Sequence, residues 1–302
     1  MFNTPPLVSI ISVNYKQLQI TIEFLISLQK ITYPNIEVFI VDNASNENVK
    51  STIHNLFPNV NVIESLNNLG FAGGNNLAIR KANGKYLLFI NNDTEVDPGF
   101  LESLVSKLES DSLIGIASPK IIYYNQNELI QFAGAKSINK LTGRGSILKS
   151  EYDKGQYDVC CETGLIHGAA MIVPMEVIKK VGLMPEIYFL YYEELDWCEM
   201  IKKAGFKALY IGKSKIYHKE SVSVGRDSPF KTYWMARNRL IFIKRNTNGL
   251  NLVISFLFFV FVSVPKNIMF FLIRGKFAHA KSFLKGLLWS ITHNNIYDTP
   301  RL

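Results

Sequence analysis

Short apolar segments rich in β-branched residues alternate with segments of helical periodicity over the first 117 residues. Residues 7–14, 36–42 and 86–90 are apolar almost throughout, which is typical of strands covered on both faces. In residues 21–29 the apolar side chains instead recur at helical spacing. Alternation of such strands with helices favours a mostly parallel sheet flanked by helices. We therefore predict an α/β fold.

This alternation weakens after Pro119. Residues 119–165 are rich in Tyr, Asn, Gly and Lys and have little periodicity, so we expect an irregular insertion with short antiparallel strands. Strand and helix signals then resume and continue to His218. We interpret residues 1–245 as one domain that contains this insertion, and residues 246–302 as a tail.

The tail carries most of the positive charge. Residues 230–302 contain 11 Lys or Arg and one acid, Asp298, whereas the rest of the chain contains 22 basic and 24 acidic residues. A body without net positive charge argues against nucleic-acid binding, which needs clustered cations. Basic residues beside an apolar segment are typical of a membrane surface.

The apolar part of the tail is long enough to raise the question of a membrane span. Residues 250–264 include only three polar side chains, Pro265 and Lys266 interrupt the segment, and residues 268–273 are apolar again. Residues 276–291 have one apolar face. A span needs about 20 residues, so we expect helices lying in the membrane plane. A spanning hairpin and a buried core or dimer helix are the alternatives.

Two further features bear on the compartment. The cysteines, Cys160, Cys161 and Cys198, are too few for a disulfide framework and lack zinc spacing, which favours a reduced, cytosolic setting. The N-terminus has neither a basic segment nor a long apolar one, so we expect no signal peptide.

Polar residues follow three of the predicted strands. Asn14 and Asp42 end the first two, and the sequence Asn-Asn-Asp occupies residues 91–93 after a later one. Ligands bind beyond the carboxyl ends of strands in such sheets. An acid there suits a ribose, a base or a divalent cation that also binds diphosphate. Taken singly, each is equally typical of a capped turn.

A glycine-rich segment at residues 67–76 leads into a predicted helix. Its three glycines let the backbone approach a ligand, and N–H groups at a helix start suit an anion; a tight turn is the alternative. The chain lacks the fingerprints of dinucleotide folds, P-loops and serine nucleophile elbows.

Three acids, Glu193, Glu194 and Asp196, lie at the start of a predicted helix. They favour the helix dipole, but crowded carboxylates also raise the pKa of one of them towards that of a general base. His218 ends a strand and is either a metal ligand or a structural histidine.

The order of these motifs is more specific than any one of them. Six segments closely resemble the family 2 glycosyltransferases, most of all the rhamnosyltransferase-like and galactofuranosyltransferase-like branch that builds bacterial surface polysaccharides: VSIISVNY, VFIVDNAS, NLGFAGGNN, LLFINNDT, FLYYEELDWCEMIKKAGF and IYH. Residues 231–245 also resemble that family's Arg-Asn segment. The resemblance covers about residues 5–245. It implies a GT-A fold and an inverting reaction that uses a divalent cation, Mg²⁺ or Mn²⁺.

The resemblance also implies a role for each motif. The donor-binding residues are Asn14, Asp42, Gly73, Gly74, Asn75, Asn91 and Asn92. Asp93 and His218 hold the metal. Glu194 is the general base, with Glu193 and Asp196 as neighbours. Two positions depart from the family: Asn91 replaces the first acid of an Asp-x-Asp motif, and Glu194 is longer than the usual Asp.

We therefore expect transfer of a sugar, with rhamnose the family-level guess, from a dTDP- or UDP-linked donor. The acceptor is a saccharide or a polyprenyl-diphosphate-linked sugar at the cytoplasmic face of the cell membrane, and the tail can instead form a homodimer. A decayed nucleotide-sugar-binding or scaffold protein is an alternative, because Asn91 weakens the metal site. A pyrophosphorylase would need a Gly- and Lys-rich phosphate loop after the first strand, which this sequence lacks. A processive synthase would need several clear spanning helices and is therefore less favoured.

Overall fold

The chain folds around one large mixed sheet in a computed structural model, which describes residues 4–126, 128–147, 151–219, 227–293, 300 and 302. The strands are β1 Val8–Asn14, β2 Ile36–Asp42, β3 Val60–Glu64, β4 Tyr86–Ile90, β5 Thr94–Val96, β6 Ile114–Tyr123, β7 Ile130–Phe132, β8 Ala135–Asn139, β9 Arg144–Ile147, β10 Cys160–Glu162, β11 Ala170–Pro174 and β12 Lys207–His218. The helices are α1 Leu18–Leu28, α2 Val49–Leu56, α3 Gly70–Ile79, α4 Phe100–Ser110, α5 Met175–Val181, α6 Glu193–Lys203, α7 Pro229–Asn246, α8 Gly249–Phe258, α9 Val264–Ile273 and α10 Phe277–Thr292.

The first half of the chain forms the parallel part of the sheet. The strand order is β10-β12-β6-β11-β4-β1-β2-β3, and β4, β1, β2 and β3 are parallel neighbours. The side chains of β1, β2 and β4 are largely buried on both faces, in two apolar clusters, whereas β3 at the edge is partly exposed. The predicted α/β fold is confirmed. The carboxyl ends of β1, β2 and β4 consequently meet at one edge of the sheet.

The second half adds strands of mixed direction. β11 runs antiparallel to β4, and β12 runs parallel to β6. The end of β12 also pairs with the short strand β5, so that His218 lies opposite Thr94. This pairing brings His218 beside Asp93, although the two residues are far apart in sequence.

The segment predicted to be an irregular insertion contains four of the strands. β6 continues through Pro119 to Tyr123, β7 pairs with it, and β8 and β9 form a separate hairpin. Gly143 turns this hairpin with φ 62°. A Cβ there would lie 3.0 Å from Cγ of Arg239, so the hairpin packs closely on α7.

The tail is more regular than the sequence indicates. α8, a π-helical turn at Phe259–Ser263 and α9 form one continuous helix, Gly249–Ile273, which is long and apolar enough to cross a membrane. Pro265 interrupts the apolar segment but not the helix, because it lies in the first turn of α9, directly after the π turn, where a missing N–H is tolerated. Only 11% of its most apolar window is buried, which argues against a buried core helix.

The tail helices are anchored on α7. α10 packs along α7, where Gly286 allows close approach: a Cβ there would lie 2.5 Å from the carbonyl oxygen of Tyr233. Phe259, Phe283 and Leu287 form a small apolar cluster with α7 residues. The tail is thus joined to the rest of the protein through α7, while most apolar side chains of the long helix remain exposed.

Candidate active site

The carboxyl ends of β1 and β2 hold a buried polar network. Asn14 lies opposite Asp42 in the register, and its Nδ2 donates to Asp42 Oδ1 at 3.3 Å and to Ser45 Oγ at 2.9 Å. Its Oδ1 accepts a hydrogen bond from Thr21 Oγ1 at 2.9 Å. Because Asn14 is fully buried and its amide is used within the protein, it orients Asp42 and does not itself face a ligand.

A cavity of about 570 Å³, here called the donor cavity, lies at this edge. Asn43 and Asn68 line it, together with Asn91, Asn92 and Asp93. Asn43 Nδ2 donates to Asn68 Oδ1 at 2.9 Å and to the carbonyl oxygen of Gly70 at 3.0 Å. The strand end after β2 is thereby tied to the start of α3.

The glycine-rich segment contributes to this cavity through Gly70 and not through the glycines singled out in the sequence. Gly70 has φ 71°, and a Cβ there would lie 2.1 Å from the carbonyl oxygen of Phe189. Gly73 and Gly74 instead pack against Leu69 and Val13. Asn75 Nδ2 donates to Phe71 O within the helix at 2.9 Å. The structure therefore does not place Gly73, Gly74 or Asn75 in the lining of this cavity: Gly74 allows α3 to pack on β1, while Gly73 and Asn75 make their contacts within α3.

A second cavity, of about 280 Å³, adjoins the first. We call it the catalytic cavity; its lining includes Asn91, Asp93, Gln131, His167, Glu193, Glu194, His218 and Lys231. Asn91, Asp93, Phe71 and Leu190 line both cavities. Asp93 therefore lies at the boundary between them. Asn92, the residue before Asp93, is held by the hydrogen bond that its Nδ2 donates to Thr21 Oγ1 at 2.9 Å.

Asp93 and His218 face each other at this boundary. His218 Nε2 lies 3.1 Å from Asp93 Oδ1, and His218 Nδ1 lies 2.8 Å from Gln131 Oε1. Since Gln131 Oε1 can only accept, Nδ1 carries a proton, and Nε2 is the ring nitrogen turned towards Asp93. Asp93 Oδ1 is buried and accepts no hydrogen bond from the described residues. A carboxylate oxygen and an imidazole nitrogen thus point into the same space.

This pair fits a divalent cation that the protein holds only in part. Within the described residues, no group of three or more His, Cys, Asp or Glu side chains could hold a metal ion. Mg²⁺ usually takes one or two protein carboxylates, and substrate phosphates and water complete its shell. The donor set is therefore suited to a cation that arrives with a diphosphate.

The opposite wall of the catalytic cavity carries the two glutamates. Burial raises the pKa of Glu194 to about 7, and burial together with Glu194 raises the pKa of Glu193 well above its ordinary value. Glu193 is 3% exposed, and its Oε2 has no hydrogen-bond partner in the part of the chain that the structure describes. Burial thus favours the neutral form of Glu193, and Glu194 beside it can accept a proton near neutral pH.

Strained backbone aims these glutamates into the cavity. Phe189, Tyr191 and Tyr192 have φ of 64°, 69° and 77°, a region that residues other than glycine avoid and that persists where the surroundings impose it. Here the side chain of Asn238 stabilises these backbone angles. Its Nδ2 donates to the carbonyl oxygens of Tyr188, Leu190 and Tyr191 at 2.9, 2.7 and 2.8 Å.

Asp196 does not belong to this site. Its carboxylate accepts hydrogen bonds from Arg245 Nε at 2.6 Å and from Asn246 Nδ2 at 2.5 Å, and it is 1% exposed. The structure thus corrects its assignment as a catalytic neighbour. The sequence does not reveal this, because Asp196 lies three residues after Glu193, a spacing that shares a helix face; its hydrogen bonds to Arg245 and Asn246 of α7 keep it out of the cavity lining.

Three lining residues were missed in the sequence: Gln131, His167 and Lys231. Burial, together with His218, lowers the pKa of His167 to about 3. The backbone N–H of Ala169 donates to its Nδ1 at 3.1 Å, so the ring presents Nε2–H to the cavity. No local pattern marks these residues, since each is brought in by a different element.

Known proteins resemble the chain in sequence. Residues 9–182, more than half of it, match the family model described as glycosyl transferase family 2. The low-salt glycan biosynthesis hexosyltransferase Agl10 of Haloferax volcanii is 26% identical over 77% of this chain and 74% of its own length. The N-acetylglucosaminyl-diphospho-decaprenol L-rhamnosyltransferase of Mycobacterium tuberculosis is 22% identical over 68% and 73%.

Solved structures resemble it in fold. A mannosyltransferase from Pyrobaculum calidifontis, in complex with GDP-Man and Mn²⁺, aligns with a TM-score of 0.59 at 14% identity, covering 96% of this chain and 88% of that one. The fold is the GT-A glycosyltransferase fold. The family match and the glycosyltransferase relatives agree with the motif order, and the chain belongs to glycosyl transferase family 2.

Proposed function

We propose that this glycosyltransferase is metal-dependent and inverts the anomeric centre of a nucleoside-diphosphate sugar. One observation carries the proposal. Asp93 and His218 share the catalytic cavity with Glu193 and Glu194, and Asp93 also lines the donor cavity. A diphosphate at Asp93 would therefore have its nucleoside on one side and its sugar, facing a proton acceptor, on the other.

The donor cavity suits the nucleoside and the diphosphate. Asp42 directly precedes Asn43, which lines the cavity, but is not itself in the lining. Its Oδ1 is engaged by Asn14 and by the backbone N–H of Ser45, so a nucleoside that reached it would be contacted through Oδ2. Asn91 and Asn92 line the cavity beside Asp93, where Asn91 would meet the diphosphate and Asn92 would keep Asp93 in place. The donor nucleotide is dTDP or UDP in this proposal.

Glu194 performs the proton transfer. Its carboxylate takes the proton from an acceptor hydroxyl as that oxygen attacks the anomeric carbon. Glu193, buried and protonated, contributes no second negative charge to repel it. Attack from the face opposite the diphosphate inverts the configuration.

The residues at the boundary between the two cavities are placed to bind the departing nucleoside diphosphate. Asp93 and His218 would be the protein ligands of Mg²⁺ or Mn²⁺, and Gln131 fixes the ring of His218. A bound cation would supply positive charge that stabilises the departing nucleoside diphosphate.

The acceptor is a lipid-linked saccharide in this proposal, and rhamnose is the sugar. The L-rhamnosyltransferase relative is named for a diphospho-decaprenol acceptor. The exposed apolar helix and the basic tail suit a protein held at the inner face of the cell membrane.

Ligand-induced stabilisation tests the donor and the metal together. The melting temperature is measured with a panel of nucleoside diphosphates and nucleotide-sugars, with and without Mg²⁺ or Mn²⁺, for the wild type and for Asp93→Ala. A ligand at 100 times its Kd adds about 2.7 kcal/mol to the free energy of unfolding. One donor should stabilise the wild type only with metal and should not stabilise Asp93→Ala. Equal stabilisation without metal would remove the cation from the proposal.

A further inference from the structure

A third cavity, of about 280 Å³, lies between α7 and the tail helices. We call it the tail cavity. Its volume is near the lower end of the range of about 300–1,000 Å³ for small-molecule sites. The hairpin β8–β9 closes one side through Arg144, α7 contributes Lys231 and Arg239, and the long apolar helix contributes Phe259 and Asn267.

The tail cavity is positively charged. Arg144, Lys231 and Arg239 line it, and Asp227 is the one acid in its lining. Asp227 already pairs with Lys276 and lies 3.7 Å from His279. Among the described residues, no carboxylate lies within ion-pair distance of Arg144, Lys231 or Arg239. Three cations without counter-ions around one cavity favour an anion.

Arg239, which lines this cavity, has an unused donor. Its side chain is 7% exposed, its Nε donates to the carbonyl oxygen of Thr142 at 2.6 Å, and its Nη1 donates to Ser263 Oγ at 3.1 Å. Its Nη2 is buried and has no partner within the described residues. Burial lowers the pKa of Arg239 to about 10, so the group is still charged at neutral pH. An unmade hydrogen bond of a buried cation is costly, and an anion would complete it.

The tail cavity adjoins the catalytic cavity on the side of the proton acceptor. Lys231 lines both cavities, and Tyr192, which lines the tail cavity, directly precedes Glu193. Asp93 and His218 do not line it. Ser228 lines both the tail cavity and the donor cavity, so the tail cavity borders the donor side as well. Because Asp93 and His218, the pair suited to a cation with the donor diphosphate, lie outside it, an anion here is assigned to the acceptor and not to the leaving nucleotide.

Two polar side chains of the long apolar helix, Ser263 and Asn267, lie at the same place. Ser263 holds Arg239, and Asn267, which lines the cavity, donates to the carbonyl oxygen of Ser263 at 2.6 Å. The π turn at Phe259–Ser263 ends there, and π turns are frequent at functional sites. Outward-facing side chains such as Phe261 and Ile273 are apolar and 72% and 77% exposed. A ligand with a charged head and a hydrocarbon tail would satisfy both surfaces.

We propose that the tail cavity binds the diphosphate of a lipid-linked acceptor, with the hydrocarbon along the helix Gly249–Ile273 and the acceptor sugar towards Glu194. This inference rests on the proposed function and adds to it the site that selects the acceptor. The ligand chemistry is a diphosphate ester of a long-chain isoprenoid alcohol.

Binding of farnesyl diphosphate by the full chain in detergent, measured calorimetrically in EDTA, tests the site without the metal. Arg144→Gln removes one charge-assisted contact and should weaken binding about tenfold, as expected for a contact of this kind. Lys136→Gln, on the same hairpin but outside the cavity lining, should bind like the wild type. Lys231→Gln should weaken binding similarly, and Arg144→Gln/Lys231→Gln more than either.

Two outcomes would overturn the proposal. If farnesyl diphosphate binds only with Mn²⁺ and not to Asp93→Ala, the diphosphate occupies the donor site. If vesicles of phosphatidylglycerol alone bind as tightly as the same vesicles with undecaprenyl diphosphate, and with the same dependence on Arg144, the surface recognises anionic headgroups in general.

Nucleotide binding with Mn²⁺ is measured in parallel. Its failure would count against the donor proposal, whereas metal-free binding that depends on Arg144 would still support the acceptor site.

Discussion

The catalytic cavity and the tail cavity adjoin each other but carry opposite charge. The first contains Asp93, Glu193 and Glu194, and the second contains Arg144 and Arg239; Lys231 lines both. The acids lie at a strand end and at the start of a helix, whereas the two arginines come from the hairpin and from α7. The difference indicates a division of work. The acidic cavity suits a cation and a proton, and the basic cavity suits an anion that positions the substrate.

Glu194→Gln should have the largest effect, because it removes the proposed proton acceptor from the acidic cavity. We expect kcat to fall by about 10²–10⁴-fold, the range for loss of a general base, while binding of the nucleotide-sugar persists. Initial rates and donor-induced melting shifts measure the two quantities. Glu193→Gln is the matched control, since burial already holds Glu193 neutral and the amide replaces one neutral group with another. If Glu193→Gln lost most of its activity while Glu194→Gln stayed active, Glu193 would be the proton acceptor and Glu194 its neighbour.

Gln131→Leu should weaken the metal site without removing a ligand. Gln131 Oε1 accepts from His218 Nδ1 at 2.8 Å, and loss of such a partner typically costs about 10–100-fold in metal affinity. Titration of Mn²⁺ by electron paramagnetic resonance, in the presence of the nucleoside diphosphate, measures this. Farnesyl diphosphate binding in EDTA should not change. Unaltered Mn²⁺ affinity would show that His218 needs no such support or is not a ligand.

The dependence on pH should also separate the two cavities. Burial raises the pKa of Glu194 to about 7, and the deprotonated form is the active one. We therefore expect kcat/KM to rise with pH, about tenfold per unit below pH 7, and to level off above it. The folded state favours protonated Glu194, so its ionisation lowers the free energy of unfolding as pH rises from the ordinary glutamate range to about 7. Glu194→Gln should remove the part of that stability change due to Glu194 and leave the part of the same sign due to Glu193, whereas Arg144→Gln should retain both profiles. A flat rate profile from pH 5 to 8 would contradict the assignment.

The sequence predicts the catalytic cavity better than it predicts the tail cavity. The parallel strands and the acidic residues at their ends follow from local patterns, and Asp93, His218 and Glu194 do line one cavity. The tail cavity leaves no such pattern, because Arg144 and Arg239 are far apart in sequence and meet only when the hairpin packs on α7 at Gly143. Long-range packing likewise explains why Gly74 packs on Val13 of β1 and why Asp196 pairs with Arg245.

The smallest expected effect concerns positive charge that lies outside both cavities. Lys281 and Lys285 are exposed on α10, and each basic residue near an anionic surface contributes about 1 kcal/mol, roughly a fivefold change in the partition coefficient. Lys281→Gln and Lys285→Gln should therefore each weaken sedimentation with phosphatidylglycerol vesicles by about that factor, and more so at low salt. Binding of farnesyl diphosphate in EDTA should not change. Lys50→Gln, on α2, should alter neither quantity. If the α10 lysines weakened diphosphate binding as much as Arg144→Gln does, a diffuse field would account for it, and the tail cavity would lose its separate role.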